Sequence, residues 1–272
     1  MQSPDAVAPP IPDYENEVPI MIIQTMLLIA LLAFIFEVVD ASLGQGYGTL
    51  GSPTFLLLGF NSKLVVPSIL ISQACGGICS AYFHNKYKNA DFSNGKTADI
   101  KRVYFIVICG VTGVLIASFL GVKVSTDLLT AYIGLVVLIM GLLIVSGAVL
   151  KFTWKKLAVI GAISAFNKGL SGGGYGPVVA GGQTIISIGA KNSIGITDFA
   201  EAPICITGFI MWTYLGSTPP LELMIPMCIG ASIAPVVGAW MTFKIPTRKL
   251  KLTMGWVIII LGILCLFRVL NP

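Results

Sequence analysis

Two glycine-rich stretches interrupt the apolar sequence, Asp40-Ala-Ser-Leu-Gly-Gln-Gly-Tyr-Gly48 and Lys168-Gly-Leu-Ser-Gly-Gly-Gly-Tyr-Gly-Pro177. With an offset of 128 residues, three glycines and a tyrosine of the first align with the same residue types in the second: Gly44, Gly46, Tyr47 and Gly48 with Gly172, Gly174, Tyr175 and Gly176. Each stretch follows an apolar run and precedes a shorter one that begins near a proline. We therefore predict that one structural motif occurs twice in the chain, and that the two copies meet inside the protein.

The composition places the chain in a membrane. Of its 272 residues, 56% are hydrophobic and only 11% are charged, whereas a soluble domain carries about 25% charged residues. Uncharged apolar windows recur along almost the whole chain. Because helices satisfy their own backbone hydrogen bonds in lipid, we predict an all-α integral membrane protein. Its surroundings are then the lipid bilayer, and no nucleic-acid partner is expected.

The lengths of the apolar segments separate membrane spans from shorter arms. A crossing needs about 20 apolar residues, and six segments come close to or exceed that length: Leu64–Phe83, Val103–Leu120, Leu128–Leu150, Asn192–Gly216, Leu223–Met241 and Leu252–Phe267. The arms beside the second glycine stretch, 157–166 and 177–189, are too short to cross. Ile20–Val39, before the first stretch, is long enough to cross alone, and only the repeat argues that it is the arm of a hairpin.

The positive charges predict an orientation. Twelve of the 17 lysines and arginines lie in three loops, 85–102, 151–156 and 243–251. Lysine and arginine are enriched in cytoplasmic loops, so these three loops should be cytoplasmic. The acidic, proline-rich tail 1–19 and the loop near Glu222 should lie outside, and both chain termini with them.

This orientation requires re-entrant hairpins. Between the cytoplasmic loop 151–156 and the outer loop near Glu222 the chain must cross an odd number of times. With Asn192–Gly216 as one crossing, residues 157–189 must enter and leave on the cytoplasmic side, with their glycine stretch at the tip. The equivalent hairpin of the first half, 20–60, would enter from the outside.

Each half of the chain, 20–150 and 151–272, is then a re-entrant or broken helical hairpin followed by three membrane spans. An odd number of crossings per half makes the two halves inverted repeats. Many secondary transporters are built in this way, with the binding site near the midplane between the repeats.

The glycine stretches suit the binding of a small anion. Glycine lets backbone N–H groups approach a ligand closely, and the helix after each stretch points its positive N-terminal end into the protein. Close packing of helices is the other use of such glycines, but two copies that each interrupt an apolar run favour binding. The candidate binding residues are the two tips and their neighbours: Gly44, Gln45, Gly46, Tyr47, Gly48, Lys168, Ser171, Gly172, Gly173, Gly174, Tyr175 and Gly176.

Lys168 lies deep in an apolar stretch, away from any obvious helix end. It would either attract the anion or pair with Asp40, which occupies the equivalent position of the first repeat. Gln73 and Gln183 are candidate lining residues, although hydrogen bonding between helices is the simpler explanation of both.

Four carboxylates lie in apolar segments. Two pairs, Glu37 with Asp40 and Asp198 with Glu201, are each three residues apart and so share a helical face. Carboxylates within a membrane are costly and usually face a cavity or a partner. They are candidates for carrying the protons that couple transport, Glu201 more than Glu37, or they hold the bundle together.

The chain lacks the motifs of an enzyme. Ser171-Gly-Gly-Gly-Tyr-Gly-Pro177 has no Gly-Lys-Ser/Thr ending, so it is not a P-loop. The six cysteines lie in apolar windows, where packing explains them better than disulfides or zinc. The single histidine, His84, ends an apolar run and is expected at a polar helix end rather than on a metal. We predict no catalytic activity, no cofactor and no metal.

The paired stretches, Gly44-Gln-Gly-Tyr-Gly-x-Leu-Gly-x-Pro53 and Gly172-Gly-Gly-Tyr-Gly-Pro177, resemble those of the TauE/SafE sulfite exporter family of membrane transporters, also called TSUP. The resemblance extends from Ile20 to Val269. It implies movement, usually outward, of small sulfur-containing anions such as sulfite, sulfoacetate or other organosulfonates across the inner membrane. The first stretch departs from the glycine-richest form of the family at Ser42, Leu43 and Gln45.

The hypothesis favoured by the sequence is thus a secondary transporter of small sulfur-containing anions, coupled to protons and working by alternating access. Two alternatives stay open. One is a passive anion channel. The other is a cation-coupled carrier of another small metabolite, with Asp198 and Glu201 as its binding carboxylates.

Overall fold

The structure is a computed structural model that describes residues 14–58, 60–121, 126–147 and 150–270. These residues are almost entirely helical. The first half contains α1 (Tyr14–Leu43), α2 (Tyr47–Leu57), α3 (Ser62–Lys86), a 3-10 turn (Ser93–Gly95), α4 (Ala98–Gly121) and α5 (Thr126–Val145). The second half contains α6 (Trp154–Ser171), α7 (Tyr175–Ile185), α8 (Ala190–Tyr214), α9 (Leu221–Ile233), α10 (Pro235–Lys244) and α11 (Thr247–Leu270).

The two halves have the same order of elements. A helix, a glycine loop and a helix of eleven residues open each half (α1–α2 and α6–α7). Equivalent helices then pack on each other: α3 lies against α8, and α5 against α11. In the same way α4 lies against α6 and α8, while α9 and α10 lie against α1 and α3. This packing is consistent with an internal twofold relation, and the inversion of the halves in the membrane stays a prediction.

Among the residues that the structure describes, six helical segments are long and apolar enough to cross a membrane: Ile23–Leu43, Lys63–Lys86, Ala98–Leu120, Ala190–Tyr214, Leu221–Lys244 and Arg248–Leu270. The first of them belongs to a predicted hairpin arm, so length alone does not distinguish an arm from a span. The described part of the chain therefore confirms an all-α membrane protein.

Two boundaries differ from the sequence prediction. Residues 1–13 of the predicted tail lie outside the described residues, but α1 begins at Tyr14 rather than at Ile20 and continues through Asp40 to Leu43. The predicted span Leu223–Met241 is divided into α9 and α10 at Pro235. Proline has no backbone N–H and clashes with the preceding turn, so it breaks the helix at this point.

The three basic loops meet at one end of the bundle, here called the basic end (residues 85–102, 150–156, 186–192 and 243–248). The Lys191 ammonium donates to the Phe243 carbonyl at 2.6 Å, and the Tyr87 and Phe243 rings stack at 6.2 Å. The Arg102 guanidinium lies 5.5 Å from the centre of the Phe152 ring. One end of the molecule thus carries most of the positive charge.

The second hairpin enters and leaves at the basic end. The Leu150 N–H, just before α6, donates to the Ile185 carbonyl at the end of α7, at 2.7 Å. The Ser187 hydroxyl donates to the Leu150 carbonyl at 2.8 Å. The start of α6 and the end of α7 are therefore neighbours, as a re-entrant hairpin requires.

The first hairpin opens at the opposite end. Ile29 of α1 and Phe55 of α2 share an apolar cluster with Val65 at the start of α3 and with Leu223 at the start of α9. The Phe36 and Phe55 rings contact edge to face at 6.5 Å. Both arms of this hairpin thus lie at the end that carries the loop near Glu222.

Labelling of single cysteines would test the orientation. In a variant whose own cysteines are replaced, we expect Ser93→Cys at the basic end to react with a membrane-impermeant maleimide only after the cells are opened. Glu222→Cys should react in intact cells, because positively charged loops stay in the cytoplasm. The reverse labelling pattern would show that the protein is inserted the other way round.

Candidate functional site between the two glycine loops

The two glycine loops lie against each other in the protein interior. Gly44 has φ = +70° and Gly172 has φ = +73°, a region that residues with a Cβ rarely adopt. A methyl group added at Gly48 would collide with the Gly172 carbonyl oxygen, and one added at Gly173 would lie 2.8 Å from the Gly48 carbonyl oxygen. The backbones therefore approach too closely for any side chain, and the predicted meeting of the loops is confirmed.

Two hydrogen bonds join the loops. The Gly174 N–H donates to the Thr49 hydroxyl at 3.3 Å, and the Ser52 hydroxyl donates to the Ser171 carbonyl at 2.9 Å. Gln45 is fully buried, and its Cα would lie 2.7 Å from a methyl group on Gly176. The loop residues predicted as a site thus form one continuous contact between the halves.

Some of the predicted anion-binding N–H groups already have acceptors within the protein. The Tyr47 N–H, the first of α2, donates to Asp40 Oδ1 at 3.0 Å. The Gly173 N–H donates to the Ser171 hydroxyl at 3.2 Å. The positive end of α2 is therefore occupied by the carboxylate of the chain itself, which shows that this position accepts negative charge.

The second loop differs at this position. Its residue equivalent to Asp40 is Lys168, in the last turn of α6. The N-cap residue of α7 is Gly174, which has no side chain that could accept from the first N–H groups of the helix. Where the first loop has its own carboxylate, the second has a cation beside a helix N-terminus.

A row of buried polar side chains crosses the centre of the molecule. The Lys168 ammonium pairs with Glu201 Oε1 at 2.8 Å, and both side chains are at most 2% exposed. The same ammonium donates to Gln73 Oε1, and Gln73 Nε2 donates to Asp40 Oδ2 at 3.1 Å. Lys168 thus pairs with Glu201. The sequence analysis considered Asp40 as its partner, but Gln73 lies between Lys168 and Asp40.

The two remaining carboxylates extend this row. Glu37 packs on α3, since a methyl group at Gly76 would lie 2.6 Å from Glu37 Oε1. Asp198 Oδ2 accepts from the Ser80 hydroxyl at 2.5 Å. Glu37 is 1% exposed and lies one turn before Asp40 on α1. Four buried carboxylates and one buried lysine therefore lie in the centre of the described part of the chain.

The loop tyrosines are buried but differ in their hydroxyl partners. Tyr47 donates to the Ser72 hydroxyl at 2.6 Å. The Tyr175 hydroxyl has no hydrogen-bond partner, because the residue equivalent to Ser72 is Ala200. The buried amide of Asn167, next to Lys168, is likewise unpaired at both side-chain atoms. The second repeat thus holds polar groups that the protein itself does not satisfy.

Gln183 is separate from this row. Its Nε2 donates to the Thr197 hydroxyl at 3.0 Å and to the Ser193 carbonyl at 3.3 Å. It joins α7 to α8, whereas Gln73 joins α1, α3 and α6. Of the two predicted lining residues, only Gln73 therefore contacts the central charges.

His84 is a site residue that the sequence analysis missed. It was expected at a polar helix end, but its side chain is fully buried, with Nε2 3.2 Å from Asp198 Oδ2. The same nitrogen lies 3.0 Å from the Ala41 carbonyl oxygen. Its position near the end of an apolar run could not reveal this, because burial there depends on α1, α8 and α10.

No cluster of three or more metal-ligating side chains is present among the residues that the structure describes. At the centre, the Lys168 ammonium pairs with Glu201.

Comparison with known proteins assigns the chain to a family. The model of the sulfite exporter TauE/SafE family matches residues 29–265, which include both loops and all the charged residues described above. The chain belongs to this family. Members of the TauE/SafE family are membrane transporters, not enzymes, and this chain is a transporter of that type.

A relative in Bacillus subtilis (strain 168) carries the name "Probable membrane transporter protein YtnM". It is 22% identical over 259 residues, which cover 88% of this chain and 82% of the relative. No solved structure matches the chain significantly.

The close approach of the loops predicts different effects for two glycines of α2. Gly48→Ala should destabilise the protein by about 1–3 kcal/mol, because the new methyl group overlaps a backbone carbonyl. Gly51→Ala, one turn along, should be neutral or slightly stabilising, since its methyl group would lie 3.6 Å from its neighbours and alanine favours helix. Unfolding in detergent measures both, and equal effects would contradict the described loop contact.

The central ion pair predicts non-additive substitutions. Lys168→Met should lower the free energy of unfolding by about 3–5 kcal/mol, because Glu201 loses its buried cation. Lys168→Met combined with Glu201→Gln should recover much of this loss, since neither buried charge remains unpaired. Unfolding in mixed micelles measures the coupling between the two sites. Simple additivity would show that the two side chains do not pair.

Proposed function

We propose that this TauE/SafE protein is a proton-coupled secondary transporter of small sulfur-containing anions such as sulfite, sulfoacetate or other organosulfonates. The anion would bind at the second glycine loop, beside Lys168 and the N-terminus of α7. The protein would lie in the inner membrane with both termini outside, and one inverted repeat would move against the other by alternating access. Family membership and the chemistry of the second loop support this proposal.

The exchange of Asp40 for Lys168 between equivalent positions carries the proposal. In the first loop a carboxylate accepts from the first N–H of α2. In the second loop the same position is a lysine, close in the chain to the N-terminus of α7, whose N-cap residue is Gly174. A helix N-terminus and an ammonium group both favour negative charge, so a free anion is the ligand that completes the second loop.

The unpaired donors of the second repeat fit the same ligand. A sulfite or sulfonate group presents several acceptor oxygens and, when ionised, no donor. The Tyr175 hydroxyl and the Asn167 amide are buried donors without a protein partner. Buried polar groups are normally hydrogen-bonded, and an oxyanion would satisfy both.

The pairing of Lys168 with Glu201 supplies a reason for proton coupling. Glu201 forms an ion pair with the Lys168 ammonium, which the anion needs, and the negative charge of Glu201 would repel the anion. A proton on Glu201 removes both obstacles. The anion and the proton therefore favour each other's binding, and this linkage is reciprocal. The two would be carried together in the same direction.

The excess of carboxylates favours a second candidate. Glu37, Asp40, Asp198 and Glu201 outnumber Lys168 by four to one in the described centre. With all four ionised, this site suits a cation better than an anion. A cation-coupled carrier that uses Asp198 and Glu201 is therefore the alternative to be separated by experiment.

Ligand binding to purified protein separates the two candidates. Sulfite, sulfoacetate, taurine, sulfate and thiosulfate would be compared with a neutral control by thermal shift, since a ligand of the folded state raises the melting temperature. We expect a shift with sulfite or a sulfonate that grows as the pH falls. Glu201→Gln should bind the same anion with less dependence on pH, because Lys168 is already free of its carboxylate.

The variant Lys168→Met/Glu201→Gln is the matched control, since it removes both charges at once. It should fold and show no anion shift. No shift with any anion in folded wild-type protein, together with stabilisation by an organic cation, would replace the anion proposal by the cation carrier. Anion flux in liposomes that neither saturates nor responds to a pH gradient would indicate a passive channel.

A further inference from the structure

An open cavity lies at the basic end, beside the buried charges. Its volume is about 620 Å³, and it lies between the turn after α3 and the start of α8. Its lining includes the exposed residues Lys88, Asp91 and Ser93, together with Asn89. Asn89 thus lines the cavity, although only 2% of its surface is exposed.

Asn89 connects this cavity to His84. Its Nδ2 donates to the Ala239 carbonyl at 2.8 Å and to His84 Nδ1 at 3.1 Å. The Ala239 carbonyl can only accept a hydrogen bond, so it determines that Nδ2 of the Asn89 amide, and not Oδ1, faces it. His84 Nδ1 is consequently an acceptor and carries no proton.

The other ring nitrogen faces two acceptors. Asp198 Oδ2 lies 3.2 Å and the Ala41 carbonyl oxygen 3.0 Å from His84 Nε2. Nε2 must therefore carry the proton, and the ring is in its neutral form with Nδ1 directed toward the cavity side. Imidazole is the side chain that changes charge between about pH 5 and 8.

Asp198 continues the connection to the central ion pair. It is three residues from Glu201 on α8, so the two carboxylates share a helical face, and their charges interact. Asp198 Oδ1 is buried without a hydrogen-bond partner. The order from water to the anion site is thus Asn89, His84, Asp198 and Glu201.

The repeat provides an internal comparison. With the offset of 128 residues, His84 corresponds to Trp212 and Ala41 to Gly169. Trp212 Nε1 donates to the Gly169 carbonyl at 2.9 Å, as His84 Nε2 does to Ala41. The two side chains make the same contact at opposite ends of the bundle, but only the histidine can bind a proton. The basic end therefore differs from the other in its acid–base chemistry.

We propose that His84 and Asp198 form the proton-loading site of the transporter, reached from the cavity at the basic end past Asn89. A hydronium ion in the cavity gives a proton to His84 Nδ1 and becomes water, and the Asn89 Nδ2–H group turns away from the newly protonated nitrogen. The pair changes from neutral imidazole and carboxylate to imidazolium and carboxylate, a gain of one positive charge beside the anion site. This inference rests on the proposed proton-coupled anion transport.

Other charged residues lie near His84 and Asp198. Those on the surrounding helices are Glu37, Asp40, Lys168, Lys191, Glu201 and Lys244, and those toward the cavity are Lys86, Lys88, Asp91 and Asp99. Lys191 is bound to the Phe243 carbonyl, and Asp99 pairs with Arg102 at 2.7 Å. Hydrogen bonds from the Ser93 hydroxyl and N–H lower the pKa of Asp91, so Asp91 does not titrate between about pH 5 and 8.

Proteoliposomes separate proton loading from anion transport. With sulfoacetate as the probe, wild-type protein should show exchange at equal pH and uptake driven by a proton gradient. His84→Gln should retain exchange within about twofold and lose gradient-driven uptake by about tenfold or more, the scale of a positioned proton acceptor. Ser93→Ala, which alters the same cavity away from His84, should match the wild type. Gradient-driven uptake by His84→Gln at the wild-type level would overturn the proposal.

A second measurement observes the His84 ring directly in the wild-type protein and does not depend on transport activity. His84 is the single histidine of the chain, so 15N-histidine labelling of tag-free protein gives one imidazole spectrum. The proposed loading site predicts that a fall in pH converts the Nε2–H form to the imidazolium. A ring that keeps one protonation state from pH 5 to 8 would reject the loading site, even if sulfoacetate is transported. Absence of sulfoacetate transport by the wild type, with His84 titrating, would instead count against the proposed substrate.

Discussion

The burial of Lys168 against Glu201 is the interaction on which the centre of the molecule depends. A charge inside a membrane protein is stable only with a close partner and further hydrogen bonds. Glu201 and Gln73 provide these from α8 and α3, and Gln73 joins the pair to Asp40 on α1. Four helices must therefore meet within hydrogen-bonding distance. The glycine loops make this approach sterically possible, because their backbones touch without intervening side chains.

The repeat supplies a scaffold in which equivalent positions have acquired different chemistry. Asp40 corresponds to Lys168, Gln73 to Glu201, and His84 to Trp212. In each pair the backbone setting is the same, while the charge or the capacity to bind a proton differs. Two similar hairpins thus provide one loop with its own carboxylate and one loop with a cation.

The same contacts bear on movement of the hairpins. His84 and Trp212 each tie the end of a long helix to the last turns of a hairpin helix through one hydrogen bond to a carbonyl oxygen. A displacement of either hairpin helix relative to the long helix that it contacts would break this hydrogen bond. At the basic end this bond belongs to the ring that also contacts Asp198, so a proton taken up by the proposed loading site would act directly on the contact with α1. At the other end the indole has no such dependence.

The sequence by itself determined the membrane class, the helical architecture, the twofold repeat of the glycine loops and the clustering of basic loops, since composition, segment length and self-similarity express these properties directly. It also placed both carboxylate pairs on helical faces. Only the tertiary structure decided that Lys168 pairs with Glu201, and that Gln73 lies between Lys168 and Asp40. It also decided that His84 is buried on Asp198 and that Tyr175 and Asn167 lack partners. The physical reason is that periodicity specifies which residues share a face of one helix, whereas partners across helices depend on which faces meet and at what depth.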